Sequence, residues 1–432
     1  MTLTATQPGA WTTRTLLGGL PLVLQRRPAA GLVAGRLWIR GGSSLDPAGQ
    51  RGAMQLLAGS MTRGAGRLDA EALADLVEGC GAALRAEASE DALVISLKCA
   101  SDDAPELLPL LLAMVTEPCL LPEQVGLERQ LNLQHLQRQR EDPFQLAHDG
   151  LRALLYGNGP YGHDPLGLEE DLAQIGSRDL EKLVGGLSAS GALLVLCGDL
   201  DDHFEEPLNA ALRRRPWSTQ APRPQPWSAA ARCSPLTLQE QDTEQLVIML
   251  GAATVPLGHG DALALRLLQT HLGVGMSSRL FQVMREQRGL AYDVGVHMPA
   301  RCAASPFVFH LSTSAARARE ACAALLEEWQ RLASEPLSDA DLQLARAKFR
   351  GQDAMGRQTC GQVADRQALV LGHGLAESHV QDCLERAEQI GPDALQDAAQ
   401  RWLSQPALSL CGPAEALVAA ERAWQAADGS AS

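Results

Sequence analysis

The side chains in this sequence best placed to do chemistry are Arg285 and Tyr292, seven residues apart in the run Gly275-Met-Ser-Ser-Arg-Leu-Phe-Gln-Val-Met-Arg-Glu-Gln-Arg-Gly-Leu-Ala-Tyr. Both are donors to oxygen. The guanidinium is a permanently charged, rigid fork of N–H groups, and the phenol presents one hydroxyl. Their spacing acquires meaning from the elements that carry them. Met276 to Gln287 predicts an amphipathic helix with Leu280, Val283 and Met284 on its apolar side. Gly289 is a natural stop, because only glycine takes a left-handed cap without steric cost. Ala291 to Val296 then alternates as a strand. Arg285 therefore falls near the end of a helix and Tyr292 near the start of the next strand.

Those elements recur. The chain reads as two halves, residues 1–206 and 228–432, joined at 207–227 by a stretch containing Pro207, Pro216, Pro222, Pro224 and Pro226. That proline density predicts a semi-extended linker. Each half shows a strand (from Leu37, from Leu246), then a helix (Ala53 to Thr62, Ala262 to Leu272). A second strand follows (Ala92 to Lys98, Pro306 to Ser312), then a long helix (Ala104 to Thr116, Ala315 to Ala333). Ser338 with Asp339 and Asp341 marks another helix start. Strands and helices without strict alternation predict an α+β fold, with helices on one face of a largely antiparallel sheet, made twice.

The segment around Arg285 and Tyr292 resembles the C-terminal half-motif of the pitrilysin/insulinase family of zinc metallopeptidases, which includes mitochondrial processing peptidase. The resemblance extends from about Leu16 to about Leu417. It implies two homologous domains forming a clam-like half chamber, with Arg285 and Tyr292 reaching toward a zinc site on the N-terminal half. Active members carry His-x-x-Glu-His on the helix after the first strand: two imidazoles on one helix face bind zinc, and the Glu polarises a water. Here that helix reads Gly-Ala-Met-Gln-Leu-Leu-Ala-Gly-Ser-Met from Gly52. By resemblance Gln55 stands for the first His, Ala58 for the Glu and Gly59 for the second His. The downstream ligand position falls on His135. One imidazole cannot hold catalytic zinc, which needs three protein ligands. No metal or other cofactor is therefore expected in this chain, and His135 reads as a helix-surface or partly buried histidine. None of the 10 histidines lies in a His-x-x-Glu-His run. Phosphate-binding and nucleophile-elbow motifs are likewise missing from the sequence.

Composition narrows the partners. With 37 basic and 51 acidic residues the net charge is −14, which disfavours nucleic acid and anionic membrane. No secretory signal or spanning stretch is recognised, and the 10 cysteines form no Cys-x-x-Cys pair. Buried free thiols and a cytoplasmic location are expected. The turn-rich loop from Leu155 to Gly167 resembles a family loop and reads as structural.

The resemblance implies the zinc-less subunit of a heterodimeric peptidase. Tyr292 would stabilise an oxyanion and Arg285 would bind substrate backbone, both acting on zinc held by a homologous partner. Extended peptides would add to a sheet edge. The competing expectation is a catalytically inactive structural or peptide-binding scaffold of the same fold, which would need neither side chain.

Overall fold

The computed structural model describes residues 9–220 and 235–428. The first sheet runs in the order Trp11–Thr15, Pro21–Arg26, Ala192–Gly198, Leu32–Arg40, Ala92–Ala100, Ala83–Ala88. The second runs Leu236–Glu240, Ala407–Gly412, Gln245–Ala253, Pro306–Ser314, Asp293–His297. Apart from the extra N-terminal strand, the orders correspond strand for strand. Each sheet has one parallel pairing, Pro21–Arg26 with Ala192–Gly198 and Leu236–Glu240 with Ala407–Gly412, and is otherwise antiparallel. The repeat expected from the sequence is thus present as topology.

The central strands explain the layering. Val33, Leu37 and Ile39 enter a large core with Met54, Leu57, Leu107 and Leu111, from the helices Ala53–Met61 and Ala104–Thr116. Ala34 and Trp38, out of phase by one residue, enter a separate core with Val363, Ala364 and Ala368. Leu246, Ile248 and Leu250 face one way in the second sheet, while Val247 and Met249 face Ala147, Leu151 and Leu155. This is the period-two alternation of a strand, with both sides apolar. Helices on one face only, as the sequence led us to expect, would leave half of those residues in water. Both faces are covered.

The second covering helix of each sheet comes from the other half of the sequence. Cys360–Gly372 lies on the first sheet and Pro143–Tyr156 on the second. The compact units are consequently discontinuous. One comprises Met1–Leu136, Asp164–Pro226 and Ala354–Glu377; the other comprises Gln137–His163, Trp227–Asp353 and Ser378–Ser432. They depart from the halves 1–206 and 228–432 by exchange of the segments 137–163 and 354–377.

Close approach fixes the exchanged helices. A Cβ on Gly372 would lie 2.3 Å from the Trp38 indole, and one on Gly150 would lie 2.6 Å from Ser409 Oγ. Arg36, only 3 % exposed, donates to the Asp365 carboxylate of the exchanged helix and, at 2.8 Å, to the Gly35 carbonyl. A buried guanidinium is tolerable only with such partners.

The linker expectation needs correction at its start. Residues Glu205–Arg214 are helical, with Leu208 and Leu212 buried. Pro207 sits in the first turn, where its missing N–H would have had no intrahelical acceptor. Trp217 is buried too, and its indole N–H donates to the Leu187 carbonyl at 3.1 Å. Pro222, Pro224, Pro226 and Trp227 lie outside the described residues. Cys197, Cys322 and Cys411 are buried and unbridged. No helix among the described residues is long and apolar enough to cross a membrane.

Candidate functional site

The Arg285 segment is anchored before it turns. Arg279 makes a forked pair with Glu328 at 2.7 and 2.8 Å, and Glu328 is 3 % exposed on the helix Ala318–Ser334. Lys348 Nζ donates to the Val274 carbonyl at 2.8 Å. Leu280, Val283 and Met284 are buried, as the apolar spacing predicts. The helix they define is not α-helical throughout. Phe281–Gln287 is a π-helix, and the Arg288 N–H reaches back five residues to the Val283 carbonyl at 3.1 Å. The spacing of Leu280, Val283 and Met284 suits either winding, so the sequence carried no signal for it. Gly289 takes φ +56°, and Leu290 N–H closes the end on the Met284 carbonyl at 2.7 Å.

Arg285 and Tyr292 meet there. Arg285 Nη1 donates to the Tyr292 carbonyl at 2.9 Å. Its guanidinium carbon lies 5.0 Å from the ring centre of Tyr292 and 5.0 Å from that of Phe281. The strand begins at Asp293, not at Ala291, and the Tyr292 carbonyl just before it is taken by Arg285. Tyr292 is 83 % exposed, and its hydroxyl has no hydrogen-bond partner among the described residues. The strand that follows, Asp293–His297, is an edge: one flank pairs with Pro306–Ser314.

Three of the four positions expected to mark a lost zinc site serve packing. Gln55 Oε1 accepts from the Ala88 N–H at 2.9 Å, tying its helix to the strand Ala83–Ala88. Ala58 is fully buried in the core. A Cβ on Gly59 would stand 2.3 Å from Glu128 Oε1, and that carboxylate is held by Arg63 at 2.8 and 3.1 Å. His135 is exposed on the helix Pro122–Gln139. An amide already engaged, a methyl, a glycine and one exposed imidazole do not fit a catalytic zinc. The helix start is capped instead by Asp46, whose carboxylate accepts from the N–H groups of Gly52 (2.6 Å) and Met54 (2.8 Å). Burial pushes Asp46 up to about 7, against the lowering effect of those two bonds.

The loop from Leu155 contributes structure, as read from the sequence. Tyr156 hydroxyl donates to the Ala304 carbonyl at 2.9 Å, and Tyr161 hydroxyl accepts from Ala303 N–H at 3.1 Å.

Sequence reasoning did not single out His148 and His297, whose rings stand 6.0 Å apart edge to face. One lies on the exchanged helix Pro143–Tyr156 and the other on the edge strand, so only knowledge of the exchange would have paired them. Burial pushes His148 down to about 3, and the charges of Arg152, His297, Arg301 and His310 act in the same direction. A neutral folded-state His148 sets a direction for acid unfolding. The unfolded chain takes up its proton near the ordinary value of 6.5, the folded chain only near 3. The stabilising contribution is complete above about pH 6.5 and is lost as pH falls from there toward 3. From pH 7 to pH 5 His148 should lower stability, measured by urea unfolding, by about 1 kcal/mol per pH unit; His297, which burial pushes down to about 4, acts in the same direction, and Asp46, pushed up to about 7, opposes both. His148→Gln should flatten that dependence; equal slopes for the two proteins would refute the assignment.

Comparison with known proteins fits this architecture. The family model "Insulinase (Peptidase family M16)" matches residues 22–167, and "Peptidase M16 inactive domain" matches residues 187–349. An uncharacterized zinc protease of Streptomyces coelicolor is 24 % identical over 411 residues, covering 92 % of this chain and 89 % of the relative. One from Bacillus subtilis is 25 % identical over 284 residues, covering 65 % of this chain and 68 % of the relative. A peptidase M16 inactive domain from Pseudomonas fluorescens superimposes with a TM-score of 0.86 at 21 % identity, covering 94 % of this chain and 98 % of the other. A protease from Helicobacter pylori gives 0.82 at 17 %, covering 94 % and 100 %.

Proposed function

Since this chain belongs to the insulinase (M16) peptidase family, we propose that it is the zinc-less member of a two-subunit metallopeptidase, supplying Arg285 and Tyr292 to the zinc site of a homologous partner. The observation that carries this reading is the pairing of an exposed, unengaged Tyr292 hydroxyl with a guanidinium that holds its backbone. It occurs in a chain whose own zinc-motif helix offers an engaged amide at Gln55, a buried methyl at Ala58 and a crowded glycine at Gly59. Zinc in the partner would supply the hydrolytic chemistry. In this chain, Tyr292 would donate a hydrogen bond to the carbonyl oxygen of the scissile peptide, a bond that strengthens as negative charge develops on that oxygen. The edges of the Arg285 guanidinium not used on Tyr292 would bind a neighbouring peptide carbonyl. The edge strand Asp293–His297 begins beside both groups and would take an extended peptide along the flank that no strand covers.

The scaffold reading shares the packed-shut helix and leaves the Tyr292 hydroxyl idle. The two readings separate in one experiment. The chain is purified alone and co-expressed with a family member from the same genome that carries His-x-x-Glu-His. Alone, it should hold well below one zinc per molecule and cleave no peptide; the co-purified pair should cleave. Chelator-sensitive cleavage by this chain alone, with stoichiometric zinc, would sink the proposal, and an inert pair would favour the scaffold.

A further inference from the structure

We infer that Phe281 is a positioning residue. Its ring holds the Arg285 guanidinium against Tyr292, so the donor pair is set in the free chain before any partner or substrate arrives. The inference rests on the reading of Arg285 and Tyr292 given above and concerns what orders them.

Arg285 is a long side chain on an exposed surface, and such a side chain ordinarily samples many rotamers. Here two rings lie beside its guanidinium. Phe281 and Tyr292 lie at the same 5.0 Å from the guanidinium carbon, within the range at which a ring quadrupole attracts a cation. The remaining freedom, rotation about the stack, is removed by the bond from Nη1 to the Tyr292 carbonyl. That bond also fixes the residue whose side chain points to solvent. The π-helix contributes the spacing. Phe281 and Arg285 are four residues apart on one side of a widened turn, a winding often found at functional sites. The next residues inward, Val283 and Met284, are buried. The turn is therefore clamped from below while Phe281 remains half-buried at its rim.

The test reads the stack directly in the full chain. With 15N-labelled arginine, the Arg285 Nε–H resonance is identified by its loss in Arg285→Lys. In the wild type it should lie upfield, shifted by the two rings. Phe281→Leu should move it toward the position of an ordinary arginine and broaden it, while Phe281→Tyr, which keeps the ring, should leave it in place. An unmoved resonance in Phe281→Leu, or equal movement in both variants, would overturn the inference. Thermal melts of both variants confirm that the fold persists. In the zinc-bearing complex, Phe281→Leu should lower kcat by about two- to five-fold at unchanged KM, with Phe281→Tyr restoring it. A wild-type kcat in Phe281→Leu, when Tyr292→Phe is impaired, counts against positioning alone. An unimpaired Tyr292→Phe removes the functional reading while the resonance still decides whether the stack exists.

Discussion

Replacing Tyr292 with Phe in the co-purified complex is expected to lower the turnover number by about 10²–10³-fold. The substitution removes one hydroxyl and leaves the ring, so the stack on Arg285 at 5.0 Å survives. The hydroxyl has no partner among the described residues, so its loss breaks no internal bond. Assembly and thermal stability should therefore match the wild type. An interaction made chiefly in the transition state appears in kcat, with KM little altered. Unchanged turnover in Tyr292→Phe would return that residue to a surface tyrosine without a catalytic part.

The second large effect is on folding. A chain ending at residue 227 keeps every strand of the first sheet and loses the helix Cys360–Gly372 that covers its second face. Val23, Ala34, Trp38, Ala92, Leu193 and Val195 would be left in water. At about 1.5–3 kcal/mol for each large side chain, the loss approaches the entire stability of an ordinary domain, about 5–15 kcal/mol. Arg36 would also lose Asp365 while its strand remained central. The fragment should aggregate or unfold without a cooperative transition, and appending residues 354–377 through a flexible linker should restore one. A soluble 1–227 fragment with a sharp urea transition would show that the exchanged helix is dispensable.

How far the sequence could be read follows from the range of each signal. Local periodicity located the strands near Leu37 and Leu246 and the helix from Ala104 to Thr116, which the structure matches at both ends. The glycine stop at Gly289 was legible for the same reason, since the positive φ is a local demand. The exchange was not located, because an apolar stripe such as Ala147, Leu151, Leu155 says that a face is buried and not against what. A clue existed: Leu246-Val-Ile-Met-Leu is apolar on both sides, as a strand covered twice must be. At the candidate site, the sequence marked Arg285 and Tyr292. It could not show that the π turn brings Phe281 under the guanidinium. Nor could it show that Glu128, held by Arg63, occupies the space beside Gly59.

The exchanged helix also imposes a timetable on synthesis. The last strand of the first sheet ends at Gly198, and the helix that roofs its second face begins at Cys360. A ribosome adding about 5–20 residues per second needs roughly 10–30 s to cross that interval. Throughout it, the sheet waits with Trp38 and its neighbours uncovered. Production of this protein should accordingly depend on whatever shields nascent chains, and slowing translation between the two points should lower its soluble yield.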